Sequence, residues 1–125
     1  MANTPVDQFF QACESGKGWD GCKEFVLDES CVFKSQTTSV NPSLDGVTTI
    51  KDYTNWMAKI VENFGEKATF EIKHKLSSEN VAIFNAVFGG FSDYVYVFEL
   101  DSNGKIVAMQ KIWNNAFAAD VISKM

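Results

Sequence analysis

The chain has 125 residues, of which 46% are hydrophobic and 14% aromatic; that suits one compact domain over residues 1–125 with a real core, and leaves no room for a second. The formal net charge is −5 and all 11 basic residues are lysines, so there is no arginine fork for phosphate and nucleic acid is not an expected partner. With no basic-then-apolar leader and no run of about 18 apolar residues, no membrane partner is expected and the reading is a soluble, cytoplasmic protein.

The first helix is announced by Thr4, Pro5 and Asp7, since a hydroxyl N-cap and a first-turn proline both suit the orphan amides there. Val6, Phe9, Phe10 and Cys13 form its apolar stripe, and Gly16 stops it. Residues 16–21, GKGWDG, lack the spacing of a phosphate-binding loop and read as helix punctuation. A second short helix is expected from Trp19 to about Asp28, presenting Trp19, Cys22, Phe25 and Val26.

Cys13, Cys22 and Cys31 recur every nine residues, an odd set that matches no zinc signature. They read as reduced, buried thiols. A metal site made from them with His74 is the competing reading, and the plainer one implies no metal.

A strand is expected from Ser30 to about Gln36, with Cys31 and Phe33 on one face and Val32 and Lys34 on the other. Residues 36–46, QTTSVNPSLDG, are turn formers and form the one long loop, a candidate lid or pocket rim. Thr48 or Thr49 caps the strongest helix, in which Ile50, Tyr53, Met57, Ile60, Val61 and Phe64 recur at helical spacing before Gly65. Tyr53 and Trp56 lie near the edge of that stripe.

Next, Phe70, Ile72, His74 and Leu76 alternate with Thr69, Glu71, Lys73 and Lys75, a strand whose dry face is expected to include His74. Val81 to about Phe91 forms another strand, containing Asn85. Asp93 to Asn114 reads as a long hairpin turning at Asp101-Ser102-Asn103-Gly104, where Asn and Gly are expected to supply positive φ. Its strands are apolar on both faces, which places them centrally in a sheet. Ala116 to Lys124 is expected as a closing helix.

This order, helices ahead of a meander of strands, closes by laying the helices on one face of the sheet. The stretches LDESCVFKSQ, LDGVTTIKDYTNWM and DSNGKIVAMQKIWN resemble the nuclear transport factor 2 (NTF2)-like superfamily, and within it the SnoaL-like branch. The resemblance spans nearly the whole chain. It implies an α+β, cystatin-like architecture: a curved mixed or antiparallel sheet with helices on its concave face, forming a cone with an internal pocket. It also implies that Tyr94, Tyr96, Met109, Lys111 and Trp113 point into that cone, walled further by Phe10, Trp19, Lys34, Tyr53 and Trp56, and that a homodimer forms through the far face.

The catalysts of the family are absent. Places that would hold a tyrosine and two aspartates in its ketosteroid isomerases fall near Phe10, Lys34 and Tyr96, and the acidic base of SnoaL-type cyclases falls near Lys111. The arginine cluster of the epoxide hydrolase branch has no counterpart. Three readings follow. The first is a pocket protein binding a small, mainly apolar or aromatic ligand without a cofactor. The second is an isomerase, cyclase or dehydratase with His74 as base and Tyr94 or Tyr96 polarising a carbonyl. The third is a homodimeric assembly module, since Val95, Val97, Ile106 and Ile112 make the far face too apolar for water.

Lys111, between Met109 and Trp113, either snorkels to the rim or sits in the cavity as a base, an amine nucleophile or an anion anchor. Asn85 and Asn114 are lesser polar candidates that suit strand ends equally well.

Overall fold

The computed structural model describes residues 4–35, 46–90 and 92–113. The 36–45 part of the expected lid loop, Asn114 and the expected closing helix lie outside them. Three helices, α1 (Pro5–Glu14), α2 (Gly18–Cys22) and α3 (Ile50–Phe64), accompany five strands: β1 (Val32–Ser35), β2 (Phe70–Ser77), β3 (Val81–Phe88), β4 (Ser92–Leu100) and β5 (Ile106–Trp113). The second helix is shorter than expected; from Lys23 to Phe25 the chain tightens into a 3-10 turn. Among the described residues no helix is long and apolar enough to cross a membrane.

Local chemistry sets the helix ends. Thr4 accepts from the Asp7 amide while Asp7 accepts from the Thr4 amide, a reciprocal box that satisfies two orphan donors. Thr49, of the two candidates, caps α3 by accepting from the Asp52 amide. Past the end of α1, a Cβ on Gly16 would lie 2.9 Å from the side chain of Val61, so the glycine lets α1 and α3 close on each other. The two helices thereby form one layer over the sheet.

The sheet order is β1-β5-β4-β3-β2. It is mixed: β1 runs parallel to β5, and the remaining neighbours are antiparallel. The meander β2 to β5 thus gains a fifth strand by crossover, and the long hairpin sits inside the sheet, as its two apolar faces require. Its turn is built on Asp101, whose carboxylate accepts from the amides of Asn103 and Lys105. Only Gly104 takes a positive φ, of 81°, and Asn103 does not, because the aspartate supplies the bonds that close the turn.

Register assigns the faces. Phe84 of β3, Tyr96 of β4 and Lys111 of β5 are successive partners and all are buried. On this inner face Phe10 of α1 meets Phe70, Phe84, Tyr96 and Phe98 in edge-to-face contacts at 4.9 to 6.5 Å. These rings join the helices to the sheet.

One strand departs from the alternation expected of it. Register slips in β2 between Ile72 and His74. Phe70 and Ile72 pair with Phe88 and Ala86 of the inner face, but His74 and Leu76 pair with Asn85 and Ile83 of the outer one. An extra residue at Lys73 reverses the parity of everything after it. His74 and Leu76 are therefore exposed, Leu76 by 71%, and the inward position passes to Lys75. Its ammonium lies 5.7 Å from the centroid of the Phe84 ring and meets Asp7 of α1 at 2.8 Å, a polar exit that the short imidazole of His74 lacks.

Ile106 is a smaller correction. It was expected on the far face, but the register shift between Glu99 and Leu100 turns it into the core, where it is fully buried.

Candidate functional site

At the centre of the inner face lies a polar chain enclosed by rings. Glu14 projects from the last turn of α1, Tyr53 from the second turn of α3, Tyr96 from the middle of β4 and Lys111 from β5. All four are buried, none more than 2% exposed. Tyr53 Oη donates to Glu14 Oε2 at 3.0 Å and Tyr96 Oη donates to Glu14 Oε1 at 3.2 Å. Lys111 Nζ donates to Tyr53 Oη at 3.0 Å. The bonds run one way, from ammonium through phenol to carboxylate.

Rings hold the ammonium in place. Lys111 Nζ lies 4.1 Å from the centroid of Tyr94, 5.0 Å from that of Tyr53 and 5.3 Å from those of Trp56 and Tyr96. The negative faces of these π-systems attract a cation. Tyr53 is itself sandwiched, stacked on Phe33 at 4.6 Å and on Trp56 at 5.8 Å, so its hydroxyl cannot swing away. Trp56 is the half-buried wall of this box.

Burial governs the acidities. It pushes the Glu14 carboxyl above its ordinary value, against the opposing pull of Lys111, Tyr53, Tyr96 and Cys13. Burial likewise lowers Lys111, with Glu14 and Cys13 resisting. It raises both Tyr53 and Tyr96 well above the usual phenol range, and the neighbouring carboxylate adds to the rise. The two charged groups are thus pushed toward the same end. One proton passed from Lys111 to Tyr53, as Tyr53 passes its own to Glu14, converts two buried charges into none. The set can donate a proton, accept one, or present an uncharged amine.

The expected residues divide. Tyr53, Trp56, Tyr94, Tyr96 and Lys111 come together here. Met109 is buried on the same face beside Phe33 and Phe98, its register partners, and Phe10 packs on Tyr96. Trp113 holds the inward register position opposite Tyr94, although its side chain lies outside the description. Trp19 is half-buried in the helical layer, where its amide donates to Asn55.

Three candidates stand on the opposite face. Lys34 is exposed and paired with the outward Gln110, since the β1 pleat commits Phe33 and Ser35 inward. Asn85 donates to Asp93 and to the carbonyl of Tyr94. His74 lines a cleft of about 680 Å³ with Thr69, Glu71, Asn85 and Asp93, on the far side of the sheet from Lys111. The Cys–His grouping does not assemble either: Cys13, Cys22 and Cys31 are free and buried, while His74 is outside. Burial and the neighbouring Cys22 push the Cys13 thiol well up, making it an inert core group.

Glu14 is the residue that pattern reading passed over. It follows Phe10 by four positions, within the stripe of Val6, Phe9, Phe10 and Cys13. A carboxylate at a stripe position is the signal that could have found it.

No family model matches this chain, and no curated protein does. Solved structures do. A SnoaL-like protein of unknown function from Burkholderia thailandensis superposes with a TM-score of 0.63 at 10% identity, over 86% of this chain and 88% of that one. An NTF2-like protein of unknown function from Burkholderia xenovorans gives 0.58 at 19% identity, over 87% and 79%. IdmH of Streptomyces antibioticus, provisionally named a polyketide cyclase, gives 0.64 at 13% identity, over 95% and 96%. The fold is that of the NTF2-like superfamily in its SnoaL-like form, an α+β cone, as the sequence resemblance implied.

Proposed function

We propose that this SnoaL-like cone binds a small, mainly apolar or aromatic ligand and seats one of its oxygens against Lys111 and the tyrosine hydroxyls. One observation carries the reading: the buried charged side chains among the described residues, Glu14 and Lys111, lie in the cone, joined through Tyr53. Burying ions costs several kcal/mol each, and apolar residues of similar volume often serve stability as well or better. Their presence at one point of an aromatic inner face is therefore support for chemistry directed at a bound molecule.

Acetophenone is a suitable probe, having one ring and one carbonyl. Saturable quenching of tryptophan fluorescence is expected, weakened about tenfold in Lys111→Met, the value of one hydrogen bond to a charged donor. Non-saturable quenching, or equal affinity in the variant, would remove the reading.

A second reading is supported by the buried Glu14 carboxyl, held between the hydroxyls of Tyr53 and Tyr96 and raised by burial above its ordinary pKa. It is acid–base chemistry of the isomerase, cyclase or dehydratase kind, and the provisional name of IdmH points the same way. In this reading Glu14 replaces His74 as the base and Tyr96 steadies the developing oxyanion, so neither a metal nor a redox group is required. Exchange of the methyl protons of acetophenone into heavy water, lost in Glu14→Gln, is its signature.

We also propose that a second copy covers the outer face of the sheet. Support comes from Val32, Leu76 and Ile83, exposed there by 47%, 71% and 37%.

A further inference from the structure

We propose that Lys111 is an amine nucleophile that captures a small aldehyde or ketone as an imine, with Tyr53 and Glu14 carrying the proton it must lose and regain. This rests on the reading of the cone as a small-molecule site, and names the class of ligand and the bond made to it.

The geometry of the polar chain is the ground for it. An ammonium is not nucleophilic, and in water an exposed lysine stays charged at neutral pH. Lys111 differs in having a built-in acceptor: its proton can pass to Tyr53 Oη at 3.0 Å while the Tyr53 proton passes to Glu14 Oε2 at 3.0 Å. The titratable groups facing the amine are Glu14 and Cys13 from α1, Tyr53 from α3, and Tyr94 and Tyr96 from β4. Glu14 is the acceptor among them, because the phenols and the thiol are raised out of range. Lys75, by contrast, is ion-paired with Asp7 and half exposed.

The step balances without any oxidant. The relay first gives neutral Lys111 and protonated Glu14. The nitrogen lone pair attacks the carbonyl carbon; a C–N bond forms, the C=O π pair moves to oxygen, and one proton moves from nitrogen to that oxygen. Glu14 then returns its proton to the hydroxyl, the C–O bond breaks, and water leaves as the nitrogen lone pair closes C=N. The protonated imine and the ionised Glu14 restore the original charges. The aromatic walls then favour a flat cationic imine and keep out the water that would hydrolyse it. Trp56, the half-buried wall, is the side from which a small carbonyl compound enters.

The test uses benzaldehyde with cyanoborohydride at neutral pH, read by intact mass and peptide mapping, with benzyl alcohol titrated in parallel by tryptophan fluorescence. One benzyl group is expected on Lys111 ahead of every other lysine, its formation slowed by excess benzyl alcohol. Tyr53→Phe should slow that labelling at least about tenfold and move its pH profile upward, since the relay is cut while the ring remains. Labelling spread over the surface lysines while benzyl alcohol binds saturably would overturn the imine and spare the ligand site. Neither labelling at Lys111 nor binding would overturn both. Because the label is mapped in the unaltered chain, a variant that folds poorly does not obscure the result.

Discussion

Glu14 and Lys111 are held by partners rather than by packing, so their contributions to stability are coupled. Glu14→Leu leaves a buried ammonium and the hydroxyls of Tyr53 and Tyr96 without their acceptor, an expected loss of about 3 kcal/mol in urea unfolding. Adding Lys111→Met should recover most of that loss, because removing both ions from a core is often neutral or better. Losses that simply add would show that the two residues do not act as a pair. A pH dependence follows from the same burial. Glu14 is raised in the fold above its ordinary 4.5, so between that value and its folded one the native state holds a proton that the unfolded chain releases. Stability should fall as pH rises through this window, and Glu14→Gln should flatten the fall. Lys111 works in the opposite sense: it is lowered from 10.5, so stability should rise with pH between its folded value and 10.5, a slope that Lys111→Met removes. His74 stands exposed on the outer face, apart from this pair. His74→Ala should alter stability by less than about 0.5 kcal/mol and leave acetophenone binding intact.

At the scale of elements, the bulge in β2 decides which side chains the strand offers to the core. Deleting Lys73 should restore simple alternation while keeping His74 and Leu76 outside and Lys75 inside, because the slip is removed together with the residue that causes it. A His74 ring whose NMR signals a soluble paramagnetic agent still broadens is the expected outcome; one shielded from the agent would show that the tail of the strand had flipped. The same bulge marks how far the sequence could be read. Periodicity placed α1, α3 and the central hairpin because each presents a continuous stripe or an unbroken alternation, while the inward direction of Tyr96 and Lys111 came from the family resemblance. It misplaced His74 because period-2 counting carries parity through a slip that no residue announces: Lys73 is no glycine, and the gain at Lys75 depends on Asp7, 68 positions away. Lys34 was a different matter. Its outward direction followed from the alternation with Phe33, and only the family analogy assigned it to the pocket. Glu14 went unread because a stripe is traced through apolar residues, and a carboxylate within it becomes meaningful only once two phenols and an ammonium from other elements arrive opposite.

For the whole molecule, the open question is what covers the outer face of the sheet. Four strands of eight or nine residues and the four-residue β1, at about 4.8 Å spacing and about 3.3 Å rise, present a face of about 600 Å². Two such faces pressed together bury about 1,200 Å² in total, enough for a specific interface. The face carries Val32, Leu76 and Ile83 well exposed, with Val95, Val97 and Ile112 half-buried between them. Each large aliphatic side chain gains about 1.5–3 kcal/mol on full burial, so covering three of them can offset the entropy lost on association. Light scattering across a range of concentrations should therefore give the mass of two chains. Ile83→Glu, which sets a charge among these aliphatics, should give one, with acetophenone binding retained because Tyr96 and Lys111 of the proposed site lie on the other face of the sheet. A monomer at every concentration would sink the proposal. A chain cut after Trp113 that then dimerised would show that the last twelve residues, rather than a second copy, had been covering the face.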